Sequence, residues 1–143
     1  MKKIFILILL FINLAFGQCV QLEYKNQYIK ESGCYLLTLA HYSGYILNDN
    51  DYYFFIKKGW ITKNCLVKNP EAILKYYTGN VYIAKISKKF DKKAEFTLLE
   101  VNSSGKSHFV LLNKNGDIVY DSYGIYYYDK IISYRPFYKI NTR

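Results

Sequence analysis

Three residues of this 143-residue chain, Cys34, His108 and Asp121, are of the types that together cleave an amide bond. A thiolate attacks the carbonyl, an imidazole moves the proton, and a carboxylate holds the imidazole in the useful tautomer. Cys34 follows Ser32-Gly33 and precedes Leu36, Leu37, Ala40 and Ser43, apolar and small residues three or four apart. That spacing predicts a helix with the thiol in its first turn. Ser32 is the expected N-cap and Gly33 leaves the approach free of side chain, so the thiol meets unpaired backbone N–H groups and the positive end of the helix dipole. A helix N-terminus favours thiolate over thiol. A single cysteine in such a place is still more often core packing than a nucleophile, so its meaning depends on its partners.

The partners lie on an expected hairpin. His108-Phe-Val-Leu-Leu-Asn113 and Asp117-Ile-Val-Tyr-Asp121 flank Lys114-Asn115-Gly116, and Asn-Gly between apolar runs signals a tight turn. With Asn115 and Gly116 as the two central residues, Lys114 faces Asp117, Val110 faces Asp121 and His108 faces Tyr123. His108 and Asp121 then share a face as diagonal neighbours about 7–8 Å apart at Cα. A three-residue loop would put them on opposite faces, because one residue of slip reverses the alternation. An oxyanion formed at Cys34 needs donors, and the Cys34 backbone N–H and the Gln27 side-chain amide are the candidates. His41 lies about 10 Å along the helix from Cys34 at 1.5 Å per residue, too far to take the thiol proton, and is assigned to helix packing. Cys65 is assigned to the core.

The elements that must position these residues fall into two halves. Gln18 to Lys30 reads as an extended arm, and helices are expected from about Gly33 to Tyr42, from Tyr52 to Lys58 after the cap-rich Asn48-Asp-Asn-Asp51, and from Asn69-Pro70 to Tyr77. The acidic cluster lacks the glycine and distant glutamate of a calcium loop, and no metal or cofactor is expected. From Val81 the period becomes alternating, with strands expected at Val81–Ile86, Phe96–Val101, in the hairpin, and within Ile131–Ile140, where Pro136 suggests an edge. Helices first and antiparallel strands second make an α+β domain.

Composition narrows the classes further. A chain that is 51% hydrophobic and 19% aromatic, with two prolines, is not disordered and fills one core. Met1-Lys-Lys3, the apolar Ile4–Ile12 and Ala15-Phe16-Gly17 read as a signal peptide of residues 1–17, leaving 18–143 as one secreted or periplasmic domain. The apolar stretch is short for an uncleaved membrane anchor, and Gln18 fits poorly with lipid modification of Cys19. The formal charge of +9 comes from scattered lysines rather than one basic stripe, so no nucleic-acid partner is expected, and attraction to an anionic envelope surface is the plainer consequence. Three cysteines at irregular spacing do not look like a disulfide framework; a Cys34–Cys65 bridge would abolish chemistry at Cys34. No oligomeric state follows.

Gln27, Gly33-Cys34 opening a helix, Ser107-His108-Phe-Val-Leu-Leu and Val119-Tyr-Asp121 together resemble the papain-like fold in its small bacterial form, most closely the bacteriocin-leader cysteine peptidases and related peptidase-like domains. The resemblance implies that Cys34 is nucleophile, His108 base, Asp121 orienting acid and Gln27 oxyanion donor. Gln27 stands seven residues before Cys34 where the family usually has six, and the His–Asp spacing of thirteen is shorter than is common there. Ser32-Gly-Cys-Tyr with Gly59-Trp-Ile-Thr-Lys-Asn-Cys65-Leu-Val-Lys-Asn-Pro70 also resembles an uncharacterised group of short spirochaetal proteins. The expected function is a secreted thiol hydrolase acting on a peptide or peptidoglycan stem. The rival is a papain-like binding or structural module without turnover.

Overall fold

The computed structural model describes residues 20–124 and 128–141. The proposed signal, residues 1–17, lies outside them. Among the described residues five helices precede five strands: α1 Val20–Glu23, α2 Gln27–Ser32, α3 Cys34–Tyr42, α4 Asp49–Lys57 and α5 Pro70–Thr78, then β1 Val81–Ala84, β2 Phe96–Ser103, β3 Lys106–Leu112, β4 Ile118–Asp121 and β5 Lys130–Ile140. The strands form one antiparallel sheet in the order β1-β5-β2-β3-β4. The arrangement is α+β, as the change of period at Val81 predicts.

Local signals account for most element ends. Asn48 and Asn69 accept from the backbone N–H groups of Asp51 and Ala72, Pro70 opens α5, and Gly79 closes it in a left-handed conformation, φ 72°. The arm expected before Lys30 is instead two short helices. Asn26 accepts from Tyr28 and Ile29 and so starts α2, a cap that breaks any extended run there. Ser32 ends α2 rather than capping α3. Gly33 fills the joint between the helices with no side-chain cap, its N–H donating to the Ile29 carbonyl.

Helix α3 is the centre of the molecule. Every residue from Cys34 to Ala40 is buried, which suits a helix covered on all sides rather than an amphipathic one. Its flank meets Phe96, Leu98, Leu111 and Phe137 of the sheet in the main core. The opposite sheet face buries Leu99, Val101, Val110 and Leu112 beneath Phe90, Ile118, Tyr128 and Tyr134.

Two expectations about strands are corrected. Strand β5 is not at an edge but lies between β1 and β2, with Pro136 opposite Thr97. The Pro136 carbonyl accepts from Lys85, and Tyr134 exchanges two backbone bonds with Ser87 just beyond, so the proline forfeits one donor in a ladder that continues on both sides of it. The β3–β4 turn is also not two-residue. Asn113 opposes Asp117, its side-chain oxygen accepts from the N–H groups of Asn115 and Asp117, and Lys114-Asn115-Gly116 form a three-residue loop. Such a loop should have sent Asp121 to the wrong face. A bulge prevents it: Leu112 pairs with Ile118 but Leu111 with Tyr120, so Val119 is the extra residue, and Val110 pairs with Asp121 after all.

Gly33 sits where a side chain has no room. A Cβ there would lie 2.5 Å from the Ile29 carbonyl oxygen and 3.0 Å from the Ile29 Cα, both backbone atoms that cannot yield cheaply. Gly33→Ala should therefore cost about 1–3 kcal/mol through strain at the α2–α3 joint. Urea unfolding checks this, and an unchanged midpoint would show that the joint relaxes without cost.

Candidate functional site

The site is assembled where β3 outruns its neighbour. Strand β4 pairs only with Val110, Leu111 and Leu112, so the first half of β3 has no strand on that flank. Helix α3 comes alongside instead: Thr38 Oγ1 reaches the Phe109 carbonyl at 3.5 Å, and the Tyr35 and Phe109 rings stack at 4.6 Å. The Arg135 guanidinium lies over both rings, 6.0 Å and 5.4 Å from their centroids, and is tied to Glu100 at 3.0 Å. Burial works against the charge on Glu100, but bonds from Ser133, Ser107 and Arg135 hold its carboxyl below the usual range. This packing pins the N-terminal end of α3, and with it Cys34, beside the start of β3.

His108 and Asp121 meet as the hairpin register requires. Nε2 of His108 lies 2.7 Å from Asp121 Oδ1, and both side chains are almost fully buried. The same carboxylate oxygen accepts from the Tyr123 backbone N–H at 2.8 Å, and the Tyr123 ring lies 4.7 Å from the His108 ring. The other ring nitrogen, Nδ1, is buried without a hydrogen-bond partner among the described residues, and Cys34 is near enough to raise the pKa of the imidazole. With Nε2 held by Asp121, Nδ1 is the nitrogen open to the thiol.

Burial by itself would discharge His108. The bond to Asp121, and next the interaction with Cys34, outweigh it and lift the imidazole from its usual 6.5 to about 9.

Cys34 and His108 open onto a cavity of about 600 Å3, a size suited to part of a peptide or a small ligand. Ser32, Tyr35, Cys65 and Leu66 line one wall, and Ser107, Phe109 and Tyr123 the other. Cys65 packs in the core as expected, yet it also faces this cavity. Its backbone is left-handed, φ 60°, and burial, with the charge of Cys34 second, pushes its thiol up to about 12. Both Cys34 and Cys65 are free thiols.

Gln27 is placed elsewhere. Its side-chain amide donates to Glu31 one turn along α2, and it borders a different cavity with Tyr28, Asp49 and Tyr53. The Cys34 N–H remains as a donor of the first helical turn, whose amides lack intrahelical acceptors. His41 stacks on Tyr120 at 3.8 Å, a packing role, and burial lowers its pKa. The contributions of Tyr123 were not legible in the sequence, because a backbone N–H carries no residue-type signature. Among the described residues no group of three or more His, Cys, Asp or Glu is arranged to hold a metal ion, and no helix is long and apolar enough to cross a membrane.

The fold and site together define an α+β protein in which a buried His108–Asp121 pair and Cys34 meet beside one cavity. Residues 18–135 match the family described as "Protein of unknown function, DUF261", and the chain belongs to that family. No curated protein and no solved structure matches it.

The sign of the His108 shift sets a pH dependence. A histidine raised on folding adds stability that is fully present below about 6.5 and is lost as pH rises through about 9. Melting temperature should therefore fall between those values. Asp121→Asn, which removes the main cause of the rise, should bring the His108 titration down toward 6.5 in NMR of the ring protons. A His108 that titrates near 6.5 in the unsubstituted protein would contradict the buried pair.

Proposed function

We propose that this protein is a thiol hydrolase of papain-like design that cleaves an amide bond in a peptide or peptidoglycan stem. The observation that carries the reading is His108 held by Asp121 through Nε2 while its other face meets Cys34. Thiolate and imidazolium form one working unit. Cys34 Sγ attacks the carbonyl carbon, the oxyanion is met by the Cys34 N–H, and His108 gives its proton to the departing amine. Neutral His108 then takes a proton from a water whose oxygen adds to the thioester carbonyl, and the C–S bond breaks, releasing the carboxylic acid and restoring the Cys34–His108 pair. Gln27 can supply a second donor only by leaving Glu31. Residues 1–17 act in this reading as an export signal, which brings the enzyme to envelope peptides.

Cys34→Ser and His108→Gln should each abolish hydrolysis of a peptide or muropeptide library. The double variant should lose little more than either single one, because nucleophile and base act as a unit. A thiol-reactive probe at neutral pH should label Cys34 far faster than Cys65, whose thiol is pushed up to about 12. Equal, slow labelling of both together with no turnover would sink the enzyme and leave a binding or structural module on the same scaffold.

A further inference from the structure

Asp121 occupies a poor place for a residue that must hold another side chain still. It is the last residue of a four-residue edge strand, joined to β3 by three residue pairs and interrupted by the Val119 bulge. Such an end frays unless something beyond the ladder secures it. Gly124 N–H donates to the Asp121 carbonyl, which closes a turn but ties it only to its own chain neighbours.

The outside support comes from α1. Gln21 is wholly buried, 0% exposed, while the adjacent Leu22 is 51% exposed, so this short helix turns its amide inward and its leucine outward. Simple anchoring by apolar burial would do the reverse. Burying an amide costs free energy unless its groups find partners, and here each does. Gln21 N–H donates to the Ser122 carbonyl at 3.0 Å, and Gln21 Oε1 accepts from Ser122 Oγ at 2.6 Å. Gln21 Nε2 donates to the Lys30 carbonyl at 3.2 Å. One side chain thus joins the residue after the acid to the last turn of α2, four residues before the nucleophile.

We infer that Gln21 is a positioning residue that locks Asp121 against His108 and fixes the acid-bearing turn relative to the segment leading into Cys34. It touches neither substrate nor reacting atoms. Its action runs through Ser122 to the Asp121 carboxylate, and from there to the orientation of the imidazole. A displacement of about 1 Å at that carboxylate is enough to cost on the order of a hundredfold in rate. The kinetic side of this inference rests on the hydrolase reading; the placement of Asp121 does not.

The test uses the whole chain with Gln21→Leu, which keeps volume and apolar burial and removes the side-chain hydrogen bonds. Leu22→Ala on the same helix serves as control. In substrate-free protein the His108 ring, assigned by its absence in His108→Gln, should titrate well below its position in the unsubstituted protein in Gln21→Leu and unchanged in Leu22→Ala. Where the unsubstituted protein turns over, kcat should fall about tenfold to a hundredfold with little change in KM. A folded Gln21→Leu whose His108 titrates like the unsubstituted protein, even with a lowered melting temperature, overturns the inference. Should Gln21→Leu not fold, Ser122→Ala removes one bond and keeps the backbone pair; a lowered His108 titration there supports the inference and an unchanged one overturns it. Absence of turnover in every variant would defeat the hydrolase reading while the titration still judges Gln21.

Discussion

The 2.7 Å bond between His108 Nε2 and Asp121 Oδ1 is the interaction on which the site depends. A buried carboxylate is costly unless it is paired and hydrogen-bonded, and Asp121 has both an imidazole and the Tyr123 N–H. The pair in turn constrains its surroundings. It needs both side chains on one sheet face, which the Val119 bulge supplies; it needs β4 to stop at Asp121, so that α3 can reach β3; and it needs water kept out, which the Tyr123 ring assists.

Cys34 is held by a different kind of force. Cys34 is fixed by packing: Tyr35 on Phe109, Arg135 over both rings, and a tight joint at Gly33. Apolar and stacking contacts are individually weak and collectively stiff, which suits a thiol that must face an imidazole without a strong bond of its own. His108 and Asp121 are thus positioned by buried polar bonds and Cys34 by a filled core.

Cys65 on the wall of the same cavity illustrates how environment separates two identical side chains. Both thiols are buried, but Cys34 opens a helix and meets His108, whereas Cys65 sits at a left-handed position among apolar neighbours where the charged form is disfavoured. Their surroundings, and not their exposure, distinguish the two.

Much of this was already determined by the sequence. Asn48, Asn69-Pro70 and Gly79 mark helix ends through bonds that reach only a few residues, and the change of period at Val81 separates the helical half from the sheet. Cys34 after Ser32-Gly33, with His108 and Asp121 on one hairpin, was legible for the same reason. The tertiary structure alone decided the rest. The loop after Asn113 has three residues rather than two, and only the bulge restores the expected face, because register answers to the buried pair as well as to the turn. Strand β5 lies inside the sheet despite Pro136, since the proline forfeits one ladder bond while its carbonyl still accepts from Lys85 and Tyr134 exchanges bonds with Ser87 just beyond. Gln27 turns to Glu31, while Gln21 finds Ser122 101 residues away. A buried polar contact of that span leaves no period and no local motif; it comes into being only when the folded chain brings its two ends together.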